Sequence, residues 1–168
     1  MKKLVFLSVL LASGFVSPAA FGHSTDKVLF TSKDWQVRAV YWDDGTSACV
    51  AEVAYTNDTF SVWTDKTHPI RLQFFSNQWQ FGEADSYVDL QLQIDDHQGW
   101  NLHHADRYKN SILFDLPEGD TGTQFLHEVA NGSTLRLLNN NGQEMESYSL
   151  SGANSSIDAL VNCISSLH

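Results

Sequence analysis

The chain has 168 residues, 20 of them acidic and 10 basic, for a formal charge of −10, with 42% hydrophobic and 12% aromatic content. That length is one domain, and that apolar content excludes a disordered or fibrous chain. The acidic excess argues against nucleic acid and anionic membrane surfaces as partners, because binding phosphate needs Lys and Arg to displace counterions.

The chain opens on a leader. Lys2 and Lys3 precede an apolar run from Leu4 to Val16. The run is too short to span a bilayer as a helix and has the form of a secretory signal peptide over residues 1–22. Ala20-Phe21-Gly22 fits a cut before His23, and Ser17-Pro18-Ala19 fits a cut before Ala20. No cysteine stands at either cut, which excludes a lipoprotein anchor. The short basic start is bacterial in character, so the expected location is the periplasm or the exterior. A cut before His23 leaves a single 146-residue domain, and loss of the two lysines deepens the formal charge to −12.

Most of the remaining chain alternates apolar and polar residues between turn residues, the pattern of short antiparallel strands. Trp35, Val37, Ala39 and Tyr41 share one face, and Asp43-Asp44-Gly45-Thr46 is a hairpin turn. Cys49, Ala51, Val53 and Tyr55 form the return strand. Asn57-Asp58 turns the chain into Phe60 and Val62. Ile70, Leu72 and Phe74 follow the His68-Pro69 loop, and Trp79 and Phe81 predict a short strand around Gln80. The clearest strand is Tyr87 to Ile94, with Val88, Leu90, Leu92 and Ile94 on one face. Asp95 to Gly99 turns into Trp100, Leu102 and His104, and Ile112 and Phe114 mark a strand ended by Pro117-Glu118-Gly119.

Thr123 to Ala130 has Phe125, Leu126 and Val129 at helical spacing, closed at Asn131-Gly132 by a left-handed residue. Strands Leu135–Leu138 and Met145–Leu150 follow, joined by Asn139 to Gly142. The last helix is read with Ser155 as its cap and Asp158 as the capping-box partner, and with Ile157, Leu160, Val161 and Ile164 as its apolar stripe. The predicted architecture is mainly β: an antiparallel β-sandwich or barrel with a short helix and a C-terminal helix. Cys49 and Cys163 are the only cysteines. Two cysteines in an exported chain pair, and no Cys-x-x-Cys suggests redox chemistry. The reading is a structural disulfide from the second predicted strand to the last helix.

This order of motifs resembles the invasion-associated locus B family of exported bacterial proteins. The residues that carry the likeness are Trp35-Gln36-Val37, Cys49, the strand ending Ile94-Asp95, and the helix ending in Gly132 before Ser133-Thr134-Leu135-Arg136-Leu137. In that family a Leu-x-Gly segment introduces a helix that ends in a Cys, as Leu150-Ser151-Gly152 and Cys163 do here. The likeness spans nearly the whole mature chain. It implies a periplasmic β-rich fold and an envelope- or host-associated role, and it implies no catalytic residues.

The polar constellations offer little catalysis. There is no Gly-x-Ser-x-Gly elbow, no phosphate-binding glycine loop and no cofactor signature. Asp95-Asp96-His97, His103-His104 and Asp106 form the densest group that suits zinc or copper. His103 and His104, adjacent on a strand, are expected on opposite faces, with His104 at the core margin. A histidine at a mature N-terminus, His23, is a second copper chelator. The aromatic distribution says more. If the apolar register faces the core, Trp42, Trp63, Phe75 and Tyr87 face outwards among Arg71, Gln73, Asp89, Gln91 and Gln93. Trp42, Trp63, Arg71, Phe75 and Tyr87 are therefore the candidate ligand-binding residues, unless a helix covers them as a second core. The functional expectation is a non-enzymatic exported binding protein whose charge favours a basic protein partner. A copper- or zinc-binding protein and a carbohydrate-binding module are the alternatives.

Overall fold

The computed structural model describes residues 24–83 and 86–167. Residues 1–22, read from the sequence as a leader, and His23 lie outside them. The alternating segments become β1 (Ser24–Ser32), β2 (Trp35–Trp42), β3 (Ser47–Ala54), β4 (Asp58–Thr64), β5 (Arg71–Ser76), β6 (Tyr87–Ile94), β7 (Trp100–Tyr108) and β8 (Ser111–Asp115). Helix α1 (Asp120–Asn131), β9 (Thr134–Asn139), β10 (Glu144–Ser149) and helix α2 (Ala153–Ser166) complete the chain. The strands form one ten-stranded antiparallel sheet in the order β1-β2-β3-β4-β5-β8-β7-β6-β9-β10. The expected mainly β fold with an internal and a C-terminal helix is the one observed.

A sheet this wide curls. Its far end returns over its own inner face, so that Tyr148 of β10 lies 5.7 Å from Phe60 of β4 and 6.1 Å from Phe74 of β5, ring to ring. The Trp35 Nε1–H donates to the Ser149 carbonyl at 2.9 Å. Among the described residues no ladder joins β1 to β10, so the sheet folds over like a sandwich without closing into a barrel. The inner register of β2 to β5 (Val37, Ala39, Cys49, Ala51, Val53, Phe60, Val62, Leu72, Phe74) is sealed from water. Phe125 and Val129 of α1, and Ile157, Leu160 and Cys163 of α2, enter the same core. Helix α2 lies against β1, β2 and β3, and the predicted disulfide joins Cys49 of β3 to Cys163 of α2. Among the described residues no helix is long and apolar enough to cross a membrane.

Several local readings change. Trp79 and Phe81 are not in a strand. The Trp79 N–H closes a turn on the Ser76 carbonyl and the Phe81 N–H reaches the Lys109 carbonyl, while the two rings pack 5.6 Å apart over the core margin. Two aromatics flanking a polar residue fit a loop draped over a core as well as they fit a strand. Gly132 has φ −81° and ψ 174°, not a left-handed conformation. Space demands the glycine there: a Cβ would stand 2.6 Å from Ile94 Cγ2 and 2.8 Å from Leu150 Cδ1. Helix α2 starts before Ser155, behind Gly152 at φ +99°, where a Cβ would run into the Ser32 carbonyl. Its buried face is Ala153, Ser156, Ile157, Leu160 and Cys163, and Val161 is 52% exposed. Tyr41 and Tyr55, at or beyond strand ends, are largely exposed, although Tyr55 stacks 6.3 Å from the buried Tyr148 ring. Strand β1 has no counterpart in the sequence reading. It is an edge strand exposed along nearly all its length, with a register shift between Val28 and Phe30.

Candidate ligand-binding groove

The register that does not fill the core faces outwards. Across β2 to β8, one row of Cα partners runs Arg38, Val50, Trp63, Arg71, Asp115. The neighbouring row runs Gln36, Glu52, Ser61, Gln73, Leu113. Both helices join the inner core, so among the described residues no helix lies over this face. The reading in which a helix makes it a second core is overturned.

Ion pairs brace the face on each side of Trp63. On one side Arg38 bridges Glu52 at 2.9 Å and Asp26 at 2.7 Å, and Gln36 Nε2 donates to Glu52 at 2.7 Å. On the other side Arg71 donates Nε–H and Nη2–H to the two oxygens of Asp115 at 2.6 and 2.9 Å. That hydrogen bond is the main cause holding the Asp115 carboxyl below, and the Arg71 guanidinium above, their ordinary values. Such two-point forks fix geometry as well as charge.

The loop from β4 to β5 is built around Asp65. Its Oδ1 accepts the Thr67 N–H at 2.6 Å, the His68 N–H at 2.9 Å and the Thr67 hydroxyl at 2.9 Å. Its Oδ2 lies 2.8 Å from His68 Nδ1. Burial works against the charge, but the bonds from the Thr67 N–H, the His68 ring and the His68 N–H outweigh it and hold the carboxyl at about 2. The loop thereby presents an exposed His68 ring and Pro69 beside the sheet.

Between this loop, the β2–β3 turn and the Arg71–Asp115 fork lies a groove of about 540 Å³, lined by Trp42, Ala48, Trp63, Asp65, His68, Pro69, Arg71, Gln73, Leu113 and Asp115 among others. Trp42 and Trp63 are half-buried in it. The polar ends of the indoles differ across the molecule. Trp35 Nε1 donates to Ser149, and Trp100 Nε1 donates to Glu128 Oε2 at 2.7 Å. Trp63 Nε1 is shut off from solvent with no hydrogen-bond partner.

The five predicted binding residues therefore divide. Trp42, Trp63 and Arg71 line the groove. Phe75 is on the same face, beyond the groove, between its β4 and β8 partners Thr59 and Ser111. Tyr87 stands on β6, stacked 3.7 Å from the His104 ring. The sequence reading missed Asp115, Asp65 and His68. Asp115 is 44 residues from Arg71, and the non-sequential pairing of β5 with β8 leaves no trace in local pattern. The Asp-x-Thr-His spacing of the Asp65 turn was the one available local signal.

The histidine hairpin assembles differently from expectation. Val88 pairs with Ala105 and Leu90 with Leu102, so His103 and His104 together stand opposite Asp89 in a bulge. His104 takes φ +63° and donates its N–H to Asp89 Oδ1 at 2.7 Å. Both rings are exposed, which corrects the placement of His104 at the core margin and of the pair on opposite faces. His97 is in the β6–β7 turn with its N–H on the Ile94 carbonyl. Asp95 fastens the N–H groups of Ser133 and Thr134, each at 2.9 Å. Among the described residues no three or more His, Cys, Asp or Glu are grouped to hold a metal ion.

No protein-family model, curated protein or solved structure matches the chain.

Proposed function

We propose that the protein is an exported binding protein, with no catalytic chemistry of its own, that takes its ligand in the groove on the outer sheet face. One observation carries this reading: Trp42, Trp63 and Arg71 gather around a concavity of about 540 Å³ that no described helix covers. That volume is in the range of small-molecule sites, which combine aromatic walls with a few placed polar groups. The carboxylates of the groove support binding over catalysis. Asp115 is tied to Arg71 and Asp65 to its own loop, and these bonds lower both carboxyls from their ordinary values, away from the raised value a general acid needs near neutral pH.

Lys2 and Lys3 before the apolar run Leu4 to Val16, and the Cys49–Cys163 disulfide, support an exported location, since disulfides persist in oxidising compartments. The motif order resembling the invasion-associated locus B family supports an envelope or host-facing setting. The acidic excess supports a basic protein as a further partner, steered by the overall field.

The test is a titration of the disulfide-bonded mature chain with fractionated envelope and host extracts, read by tryptophan emission. The Trp63→Ala/Arg71→Ala double variant runs beside it. A saturable change in the wild type that the double variant lacks is the expected result. An equal response from both proteins, or no saturable response from either, overturns the reading.

A further inference from the structure

We infer that the occupant of the groove is a neutral sugar, with the apolar face of a pyranose ring against an indole and its hydroxyls on the Arg71–Asp115 fork. This inference rests on the groove being the ligand site. It narrows the ligand by asking which charges there are free. An anionic ligand needs an unengaged Arg or Lys. Arg71 has two of its donors on Asp115, and Lys66, in the neighbouring loop, donates to the Leu167 carbonyl. A cationic side chain needs an uncompensated carboxylate. Asp115 is forked by Arg71, and Asp65 is enclosed by Thr67 and His68.

What the groove offers instead is mixed in kind, with its charged groups already hydrogen-bonded to one another or within their own loop. Trp42, Trp63, Pro69 and Leu113 give it apolar wall. The fork sets guanidinium donors and carboxylate acceptors side by side on one rigid edge. A pair of neighbouring sugar hydroxyls, each able to donate and to accept, matches that edge, while the C–H face of the ring matches the indole.

Trp63 adds a second reason. Its Nε1 has no partner and is sealed against the sheet, unlike the indole nitrogens of Trp35 and Trp100. A turn of the ring towards a ligand therefore breaks no hydrogen bond, and it brings an unsatisfied buried donor to a hydroxyl acceptor, which is favourable. Packing alone holds the free-state orientation. A volume of about 540 Å³ gives room for a mono- or disaccharide.

The experiment uses the mature, disulfide-bonded chain and a panel of methyl glycosides and neutral disaccharides of glucose, galactose, mannose and N-acetylglucosamine. Hexalysine and inorganic phosphate serve as charged probes. At least one neutral sugar is expected to give a saturable shift in tryptophan emission that is unchanged between low and high salt. Trp63→Ala is expected to weaken it by about tenfold or more, the size of a lost ring contact. Arg71→Lys, which keeps the charge but loses the fork, is expected to weaken it likewise and covers the case in which Trp63→Ala folds poorly. No neutral sugar binding across the panel overturns the inference. If hexalysine binds instead, in a salt-sensitive and Trp63-dependent way, the sugar inference fails while the groove stands as a binding site. If Trp63→Ala and Arg71→Lys leave every response intact, both readings fail.

Discussion

Phe60 and Trp63 stand three residues apart on β4 and face opposite ways. Phe60 is fully buried, 5.1 Å from Phe74 and edge-on to Trp35 at 5.9 Å, with Tyr148 closing over it from the other end of the sheet. Trp63 has Val50 and Arg71 as its cross-strand neighbours and leaves its nitrogen unpartnered. On the inner face, position comes from dense ring contact and a covalent tie. On the outer face, it comes from forked ion pairs that brace the sheet to either side of the indole. A rigid interior thus fixes the strands that carry the outer aromatic surface without having to cover it, and leaves the Trp63 ring itself held by packing.

That contrast predicts an order of effects. Replacing Cys49 and Cys163 together by Ser removes the inner tie. The 114-residue separation puts the loss at about 4–5 kcal/mol in the chain-entropy account, read as a lowered denaturant midpoint. Phe60→Ala is expected to cost about 3–5 kcal/mol, as a large buried ring does, and Trp63→Ala less than half of that. Equal losses in the two variants would abolish the distinction between the faces.

Gly132→Ala is expected to cost about 1–3 kcal/mol by overpacking, because the new methyl group meets Ile94 and Leu150. A thermal melt unchanged from wild type would show that this joint of the inner face gives way freely. The smallest effect belongs to the outer loop. Asp65 has a folded value of about 2, below its ordinary 3.8, so its contribution is present above pH 3.8 and fades as the pH falls through about 2. Asp65→Asn should lower the melting temperature at neutral pH, and the difference from wild type should shrink towards pH 2. A difference independent of pH would mean that the loop does not depend on the charge.

Much of this fold is legible in the alternation of β2 to β10, because a strand with one dry face writes its register into every second residue. The outward placement of Trp42 and Trp63 follows from the same rule, while the Cys49–Cys163 bridge is legible from there being two cysteines in the sequence. Four things escape the rule. Strand β1 meets solvent on both faces, with Val28 and Leu29 both exposed, so no apolar register marks it. The bulge at His103 and His104 inserts a residue into the pattern, and alternation read straight through puts the exposed His104 ring at the core margin. The partner of Arg71 depends on β5 lying beside β8, a choice made by the whole sheet. The glycines at 132 and 152 mark where neighbouring backbones and side chains crowd the chain, which no turn rule anticipates.

The span of the disulfide also sets a timetable. Synthesis delivers Cys49 well before Cys163, and at about 5–20 residues per second the interval is on the order of ten seconds. Throughout that time Cys49 has no other cysteine in the chain to pair with. The covalent lock closes only once α2, which packs against β1 to β3, has been made. The bond therefore records completion: a chain cut short of residue 163 keeps Cys49 as an unpaired thiol, and that thiol distinguishes an unfinished molecule from a finished one.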